Sequence, residues 1–581
     1  MVRSKSKRKA TKGQKGTSVI DIKEKLAQKR QGREKRRKLM SLIGFSLFFA
    51  IIVGVTLSFS ISPKVGISVG VLVPTMVICY NYPRTAMWAF LIYMPFSGTA
   101  TYWIGGGNAL FQISKDGFYI PALLGFITEC RRKRKPIIVA KQLLPTLLLI
   151  LTCSLLTLFL VNGLQHFLPT CDSLSDYEEF LRDANGNFIL DSNGIIIRTP
   201  CRSGIPFLQG VIGLKVLLGY VPLIFCAYYL IEDKKKLLFF GRLLVVLAII
   251  CCLLGLAQYW MLKTGRCRGT DYLTGLKLFQ PQLTAKCLVG GSLLYSPSQG
   301  QIRLPGTFVS PWHWAWFLIG NAAITFAVAF SDTSFFWRNT GLVGMALVFI
   351  NAIVCGQRIA LAMVPALIVI LLFLTGQVAN LKRFIPIGIG LAFVLFVGFS
   401  FINPDFIQER IDSFVARWNA APPYVFMQDQ FLYALDNQKG ILGRGLGKAT
   451  NSTRIFGSVS LVETYHPKLL FEIGFLGLGA FMIFVSHLSF LTFKAMKPLK
   501  DKALKSFASG FWVFILIISY FPYWYPLDTD PVCVYYWLFA GIILKLPLID
   551  KEEQAKLKAQ KDAEDAKKKR VKTTKKVPSA T

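Results

Sequence analysis

Two side chains at the edges of apolar segments are the best candidates for chemistry in this chain. Arg358, in the stretch Gly-Gln-Arg-Ile-Ala, lies between two apolar segments, and His466 lies where a long polar loop meets the next one. A guanidinium stays charged in a low dielectric and presents a planar fork to phosphate oxygens, whereas an imidazole can accept a proton near neutral pH. Arg358 is therefore a candidate anion ligand and His466 a candidate general base. The alternatives are an arginine that snorkels to the membrane surface and a structural histidine.

The long polar loop 403–465 carries further candidates. A predicted amphipathic helix in it places Arg410 and Arg417 seven residues apart on one face. A glycine-rich turn follows at 440–447, and its backbone could approach a phosphate or a sugar. This turn lacks the Lys-Ser/Thr pair of a P-loop and does not follow a strand of a βαβ unit, so a nucleotide site is not predicted.

Lys215 is a separate candidate, because it falls about ten residues into a predicted membrane span. It either faces an anionic lipid headgroup or shows that the predicted register of this span is wrong. The histidines lie far apart along the chain, and no Cys-x-x-Cys pair occurs. The sequence therefore predicts neither a metal site nor a cofactor.

Membrane helices must position these side chains. Hydrophobic residues make up 53% of the 581 residues and charged residues only 17%, which is below the ~25% of soluble chains. Apolar runs of about 20 residues recur along the chain, which is the length that crosses a bilayer core. We predict an all-α polytopic integral membrane protein with about fourteen transmembrane helices and a large extracytoplasmic loop before the third-last helix. The predicted spans are 41–61, 65–80, 87–104, 114–129, 142–162, 205–231, 237–262, 312–330, 341–357, 358–376, 384–402, 466–493, 505–521 and 532–548.

Lysine and arginine are concentrated on one predicted side of the membrane. The tails, 1–40 and 549–581, hold about half of the formal net charge of +36. The positive-inside rule places both termini in the cytoplasm, with the transmembrane domain between them at 41–548. The tails are rich in Lys, Glu, Ala and Gln, which predicts disordered or loosely helical segments held near anionic lipid. Because the basic residues flank membrane spans, nucleic-acid binding is not expected.

Four cysteines fall in predicted extracytoplasmic loops. Cys171 and Cys201 bracket one loop, and Cys267 and Cys287 bracket the next. Because disulfides persist in an oxidising compartment, we predict that each pair is bonded within its own loop. The other cysteines lie in or at the ends of spans, where a small buried apolar residue is the simpler interpretation.

Four stretches, in this order, resemble the O-antigen ligase and O-antigen polymerase family of lipid-linked glycan enzymes. They are Arg303-Leu-Pro-Gly-Thr-Phe308 followed by Ser310-Pro-Trp-His313; Gly356-Gln-Arg-Ile-Ala360; Arg417-Trp418 with Gly443-Arg-Gly-Leu-Gly447; and His466 with Glu472, Gly474 and Gly477. The resemblance covers roughly residues 300–490. Gln357 and Pro467 depart from the family pattern, and both departures bear on contacts to the acceptor. The basic tails, the predicted stapled loops and the Trp-rich span start also resemble membrane proteins of cyanobacterial exopolysaccharide clusters, including hormogonium polysaccharide export.

The resemblance implies transfer or polymerisation of a glycan from a polyprenyl-pyrophosphate carrier to a hydroxyl acceptor, a glycan or a lipid, at the outer face of a bacterial inner membrane. His466 would be catalytic as the base or as a ligand of the acceptor hydroxyl. The residues that would bind the pyrophosphate are Arg358, Arg417 and Arg410, with Arg303, Arg444 and Lys215 as further candidates. No metal is implied, because the arginines supply the positive charge. Other polysaccharide-assembly proteins are implied as partners.

A membrane transporter for a small anion such as bicarbonate, or for a lipid-linked sugar, is the alternative. Many spans and a cation among them would serve either function. A transporter usually places its ionisable groups near the middle of the membrane, whereas Arg358 and His466 are predicted at its outer face. This placement favours the enzyme.

Overall fold

The computed structural model is built of helices and one short β-hairpin. It describes residues 10–60, 63–107, 111, 114–167, 204–274, 280–282, 284–297, 300–377, 408, 412, 415, 418–419, 422–521, 523 and 526–574. The all-α architecture predicted from the sequence is confirmed for this part of the chain.

The helices are numbered here in chain order. They are α1 (Ala10–Ser60), α2 (Pro63–Asn81), α3 (Pro83–Tyr93), α4 (Ser97–Thr99), α5 (Asp116–Arg132), α6 (Leu144–Leu156), α7 (Leu164–Phe167), α8 (Pro206–Leu218), α9 (Leu223–Leu230), α10 (Lys234–Lys263), α11 (Pro311–Ser331), α12 (Phe335–Val354), α13 (Arg358–Leu374), α14 (Pro423–Asn437), α15 (Tyr465–Met496), α16 (Lys502–Tyr520) and α17 (Val532–Thr574). Short 3-10 or π-helical segments are Met94–Phe96, Ala100–Ile104, Lys141–Leu143, Thr157–Gly163, Asn451–Thr453 and Pro526–Asp528. Strands β1 (Leu294–Ser296) and β2 (Gln301–Arg303) pair antiparallel, with Leu294 opposite Arg303.

Within the described residues, nine helical segments are long and apolar enough to cross a membrane. They are Leu39–Ser60, Lys141–Phe167, Pro206–Leu230, Lys234–Lys263, Pro311–Ser331, Phe335–Val354, Tyr465–Met496, Lys502–Tyr520 and Val532–Ala566. The chain is therefore an integral membrane protein, as predicted.

The other predicted spans have different outcomes. Two of them, 65–80 and 358–376, coincide with shorter apolar helices, Val69–Asn81 and Arg358–Leu374. The predicted span 384–402 lies outside the described residues. The predicted span 87–104 overlaps α3 and the short helices that follow it, and the predicted span 114–129 overlaps α5. Neither is among the nine segments. The total of fourteen spans stays a prediction.

The chain forms two compact units. The first consists of Met1–Phe90 and Ile113–Glu129, and the second of Leu91–Gln112 and Cys130–Thr581. In the first unit, α1 packs closely on α2, and an ion pair of 2.7 Å joins Arg84 to Glu129. The second unit contains the β-hairpin and all helices from α6 onward.

In the described residues, both basic tails are helical extensions of membrane helices. The N-terminal tail is part of α1 from Ala10 onward, and α17 extends to Thr574. The sequence predicts a disordered or loosely helical tail at 1–40, and its described part is helical. Lys, Glu, Ala and Gln are strong helix formers, and a preceding or following span spares them the cost of nucleation.

Helix α15 is broken at Gly474. This residue has φ 65° and ψ −169°, so it separates a first part, 465–473, from a second part, 475–496. A continuous helix would place Gly477 on the face of His466, and the break interrupts the helical register between these two residues.

A turn from the long polar loop fills this break. The amide of Arg444 donates a 2.8 Å hydrogen bond to the carbonyl oxygen of Phe471, and the amide of Gly445 donates one of 3.0 Å to that of Glu472. These carbonyls end the first part of α15 and would otherwise lack helical partners. The glycine-rich turn 440–447, which we expected could approach a phosphate or a sugar, therefore has two of its amides bonded to α15.

Cys267 and Cys287 form a disulfide, the pairing that the sequence predicts. A hydrophobic cluster that includes Tyr259, Leu293 and Ile302 packs around it. The disulfide therefore holds the end of α10 against the hairpin that carries Arg303.

Candidate active site

Arg303 and Arg358 are brought together by a close approach of two backbone segments. The amide of Leu304 donates a hydrogen bond of 3.0 Å to the carbonyl oxygen of Cys355. Gly356, with φ 71°, then turns the chain into α13, a conformation that glycine adopts without steric cost. The end of β2 thus lies beside the start of α13, and each of these ends carries one arginine.

Glu463 and Tyr523 complete a group of four polar side chains, which we call the arginine cluster. Burial lowers the pKa of the Arg303 guanidinium and the charge of Arg358 lowers it further, whereas Glu463 and Tyr523 raise it. Burial raises the pKa of the Glu463 carboxyl, and Arg303 partly offsets this. Burial also raises the pKa of Tyr523, against the lowering effect of both arginines. Arg303 therefore lies within electrostatic range of the other three members, and Tyr523, at 5% exposed, is buried.

The arginine cluster lies at one end of the membrane helices, which we call the site end. Arg303 precedes α11, Arg358 begins α13, Glu463 precedes α15 and Tyr523 follows α16. Among these four side chains, two guanidiniums accompany one carboxylate, so together the four carry a net positive charge. Such charge is costly near hydrocarbon unless an anion, water or protein compensates it.

Helix α14 supports two members of the arginine cluster from the side. The backbone amide of Glu463 donates a 2.7 Å hydrogen bond to Oε1 of Gln430. The ring of Phe426 meets that of Tyr523 edge-on, with 6.0 Å between the ring centres. Both contacts come from one face of α14, so this helix fixes the positions of Glu463 and Tyr523 together.

His466 follows Glu463 by three residues and contacts the end of α16. Its Nε2 atom lies 3.1 Å from the carbonyl oxygen of Ser519. Because a carbonyl oxygen only accepts, Nε2 carries the hydrogen, and in the neutral imidazole Nδ1 is left as the acceptor. His466 therefore caps one of the last carbonyls of α16 and keeps one nitrogen able to take a proton.

Gln357 adds a buried donor next to Arg358. It is the N-cap residue of α13 and is 3% exposed. Its Nε2 atom has no hydrogen-bond partner among the described residues, which costs about 1–3 kcal/mol for a buried polar group. The first turn of α13 carries partial positive charge as well. The start of α13 therefore strengthens the attraction of the arginine cluster for an anion.

A second polar group, which we call the buried ion network, lies in the first part of α15. Lys468 is ion-paired with Asp528 and lies 3.8 Å from Glu472. The side chains of Lys468 and Glu472 are each only 3% exposed. Glu472 also accepts hydrogen bonds from the Thr450 hydroxyl at 2.8 Å and from the Ala449 amide at 2.7 Å. These bonds satisfy charges that would otherwise be too costly to bury.

The remaining described candidates, Arg444 and Lys215, have other contacts. Arg444 is 5% exposed, donates to the carbonyl oxygen of Asn437 and lies 5.5 Å from the centre of the Phe471 ring. Lys215 lies 3.4 Å from the hydroxyl of Tyr220. Arg444 thus helps to pack the turn against α14 and α15, and Lys215 is tied to its own span.

Four predicted residues lie outside the described part of the chain. They are Arg410, Arg417, Cys171 and Cys201. Their predicted roles stay predictions.

Sequence patterns did not point to Glu463, Tyr523 or Lys468 as site residues. Glu463 had a usable signal, because it is an acidic residue only three positions before His466. Lys468 and Glu472 are spaced four residues apart at the start of an apolar helix, which is the spacing of a helical ion pair. Tyr523 has no such signal, since its role depends on where α16 ends in space.

Comparisons with protein families and curated proteins do not identify a family for this chain. No protein-family model matches the chain, and no curated protein matches it. Within the described residues, no group of three or more His, Cys, Asp or Glu side chains could hold a metal ion. Any function must therefore be argued from the arginine cluster and its surroundings.

Proposed function

We propose that this protein transfers or polymerises a glycan from a polyprenyl-pyrophosphate carrier to a hydroxyl acceptor, in exopolysaccharide or O-antigen-type biosynthesis. The observation that carries the proposal is the excess positive charge of the arginine cluster. Arg358 begins α13 and Arg303 ends the β-hairpin that precedes α11, a position that supports binding of the headgroup of a lipid-linked substrate. Their planar forks match the oxygens of a pyrophosphate.

The reaction needs a ligand for the leaving group and a base for the acceptor. The acceptor oxygen forms a bond to the anomeric carbon, while the bond from that carbon to the pyrophosphate breaks and its electron pair leaves with the pyrophosphate. Arg303 and Arg358 stabilise this anion as it forms. The acceptor proton goes to Nδ1 of His466 or to the carboxylate of Glu463, whose raised pKa suits a base.

The proposed setting is the inner membrane of a bacterium, with the site end facing outward and both termini in the cytoplasm. The Lys/Arg distribution supports this orientation. The helical basic extensions of α1 and α17 would then lie near anionic lipid. Other polysaccharide-assembly proteins are the proposed partners.

Variants expressed in a strain that lacks the native protein test the enzyme. Arg358→Ala and His466→Ala should each lower polysaccharide output on the order of 100-fold and cause short lipid-linked glycan to accumulate. Arg358→Lys should also fail, because lysine keeps the charge and loses the fork. The control is Arg338→Lys, since Arg338 lies near the opposite end of α12 and packs on the Phe335 ring at 5.9 Å. Normal glycan in well-expressed Arg358→Ala and His466→Ala variants would overturn the proposal.

An ion-coupled transporter, for a small anion or a lipid-linked sugar, is the second candidate function. The observation in its favour is the broken helix at Gly474 with the buried ion network beside it, because discontinuous helices bind ions in many secondary transporters. Glu472→Gln would then alter solute uptake without any accumulation of lipid-linked glycan. Glycan accumulation in the Arg358 variants with unchanged uptake favours the enzyme instead.

A further inference from the structure

Helix α14 presents an apolar face that the described part of the protein does not cover. Tyr424, Phe431, Leu432 and Leu435 are 64%, 41%, 46% and 38% exposed. At 100° per residue they fall within an arc of roughly 100°, with Gln428 among them. We call these four residues the α14 stripe. Single exposed apolar side chains are ordinary, but a stripe along one helix face indicates an apolar neighbour.

The other faces of α14 have different surroundings. The opposite face packs on protein, where Ala434 is fully buried and the Tyr433 ring stacks on Phe471 at 6.5 Å between centres. A third face, between the two, carries the exposed carboxyls of Asp429 and Asp436. The helix therefore divides its circumference among protein, an apolar neighbour and water. This is the arrangement of a helix that lies in the plane of a membrane surface.

The α14 stripe continues into the lipid-facing surface of a span. Ile441, just after α14, is 63% exposed, and its carbonyl oxygen accepts a 3.4 Å hydrogen bond from the amide of Leu476. Leu476 is 45% exposed at the start of the second part of α15, and Ile483 and Phe490 follow at seven-residue spacing with 52% and 60% exposed. This part of α15 crosses the membrane, so its exposed apolar side chains face acyl chains.

We infer that α14 is an interfacial helix whose stripe is embedded among the acyl chains of the leaflet at the site end. Its 15 residues span about 22 Å, too short to cross a ~30 Å hydrocarbon core. The inference does not depend on the proposed glycan transfer. It has a consequence for the site, because the protein-facing side of α14 holds Glu463 and Tyr523. The bilayer itself thus helps to hold the arginine cluster at the membrane surface.

Spin labels on full-length protein in phospholipid nanodiscs test the inference. Phe431→Cys places a label on the stripe, and Asp429→Cys, two residues away and about 160° round the helix, is the matched control. Collisions with oxygen, which partitions into acyl chains, and with a water-soluble nickel chelate are measured for each label. Wild-type protein treated with the same spin label gives the background signal from native cysteines.

We expect the label at 431 to collide preferentially with oxygen and the label at 429 with nickel. Preference for nickel at both positions would overturn the inference, because the stripe would then face water. Protection of 431 from both reagents would also overturn it, because protein would then cover the stripe. Tyr424→Cys repeats the measurement at the other end of the stripe, so that the result does not rest on one variant.

Discussion

The carbonyl oxygen of Ile302 occupies the space that a Cβ atom on Gly356 would need. Arg303 follows the first of these residues, and Arg358 comes two positions after the second. The approach of the two backbones therefore sets how close the two guanidiniums lie. Backbone packing therefore brings the two positive charges of the site together.

Gly356→Ala should disrupt this approach. Gly376→Ala is the matched control, because Gly376 also has a positive φ, 66°, and nothing lies within 4 Å of the added Cβ. The control should lower the free energy of unfolding by about 1 kcal/mol through backbone strain alone. Gly356→Ala should lower it further and abolish glycan production. Unfolding in mixed micelles measures the first effect, and equal losses in the two variants would contradict the proposed collision.

Stability should depend on pH through Glu463. Burial raises the pKa of its carboxyl above the ordinary 4.5, so the folded state favours the protonated form. The resulting stabilisation is complete below the unfolded-state pKa and is lost as the pH rises through the raised folded-state pKa. The melting temperature of the wild type should therefore fall relative to that of Glu463→Gln as the pH rises above 4.5.

A charge change at Arg303 provides the control for this titration. Arg303 lowers the pKa of Glu463, so Arg303→Gln should move the loss of stability to higher pH. If the melting temperatures of the wild type and of Glu463→Gln changed in parallel over this pH range, Glu463 would not titrate as described.

Removal of the cation from the buried ion network should be costly. Lys468→Met leaves the carboxylates of Asp528 and Glu472 buried without their counter-charge, which costs about 3–5 kcal/mol for a buried pair. The triple variant Lys468→Met, Asp528→Asn, Glu472→Gln should recover part of that loss, because no uncompensated charge is left. The control is Lys556→Met, since Lys556 is 61% exposed in its pair with Glu553 and should show no measurable change. If the loss of stability in the triple variant equalled the sum of the losses in the three single variants, the three residues would not be coupled.

The orientation of the site end can be measured directly. Ser452 and Lys497 are both exposed, and they lie near opposite ends of α15. A membrane-impermeant thiol reagent should label Ser452→Cys in intact cells and Lys497→Cys only after permeabilisation. The reverse pattern would place the arginine cluster on the cytoplasmic side and would remove the proposed glycan transfer at the outer face.

The sequence by itself located the nine membrane-spanning segments found in the described part of the chain. Hydropathy is a local property summed over about 20 residues, so spans such as α10 and α11 can be read without knowledge of their neighbours. Arg358 and His466 were identified for a related reason. Charged or titratable side chains beside hydrocarbon are costly, and each one marks a position that needs an explanation.

Only the tertiary structure decided which polar groups meet. Arg303 and Arg358 are far apart in sequence, and they come within electrostatic range because Gly356 lets the two backbones approach each other. Glu463 and Tyr523 join them because α14 holds both, and no periodicity in the chain records that contact.

The break of α15 at Gly474 has the same origin. A helical pattern continues through this position, and the non-helical conformation is stable because amides of a distant turn bond to the freed carbonyls. Backbone hydrogen bonds and close glycine contacts are properties of two segments at once, whereas hydropathy belongs to one. That difference is why the sequence predicted the spans and the candidate residue types, and why the arginine cluster required the fold.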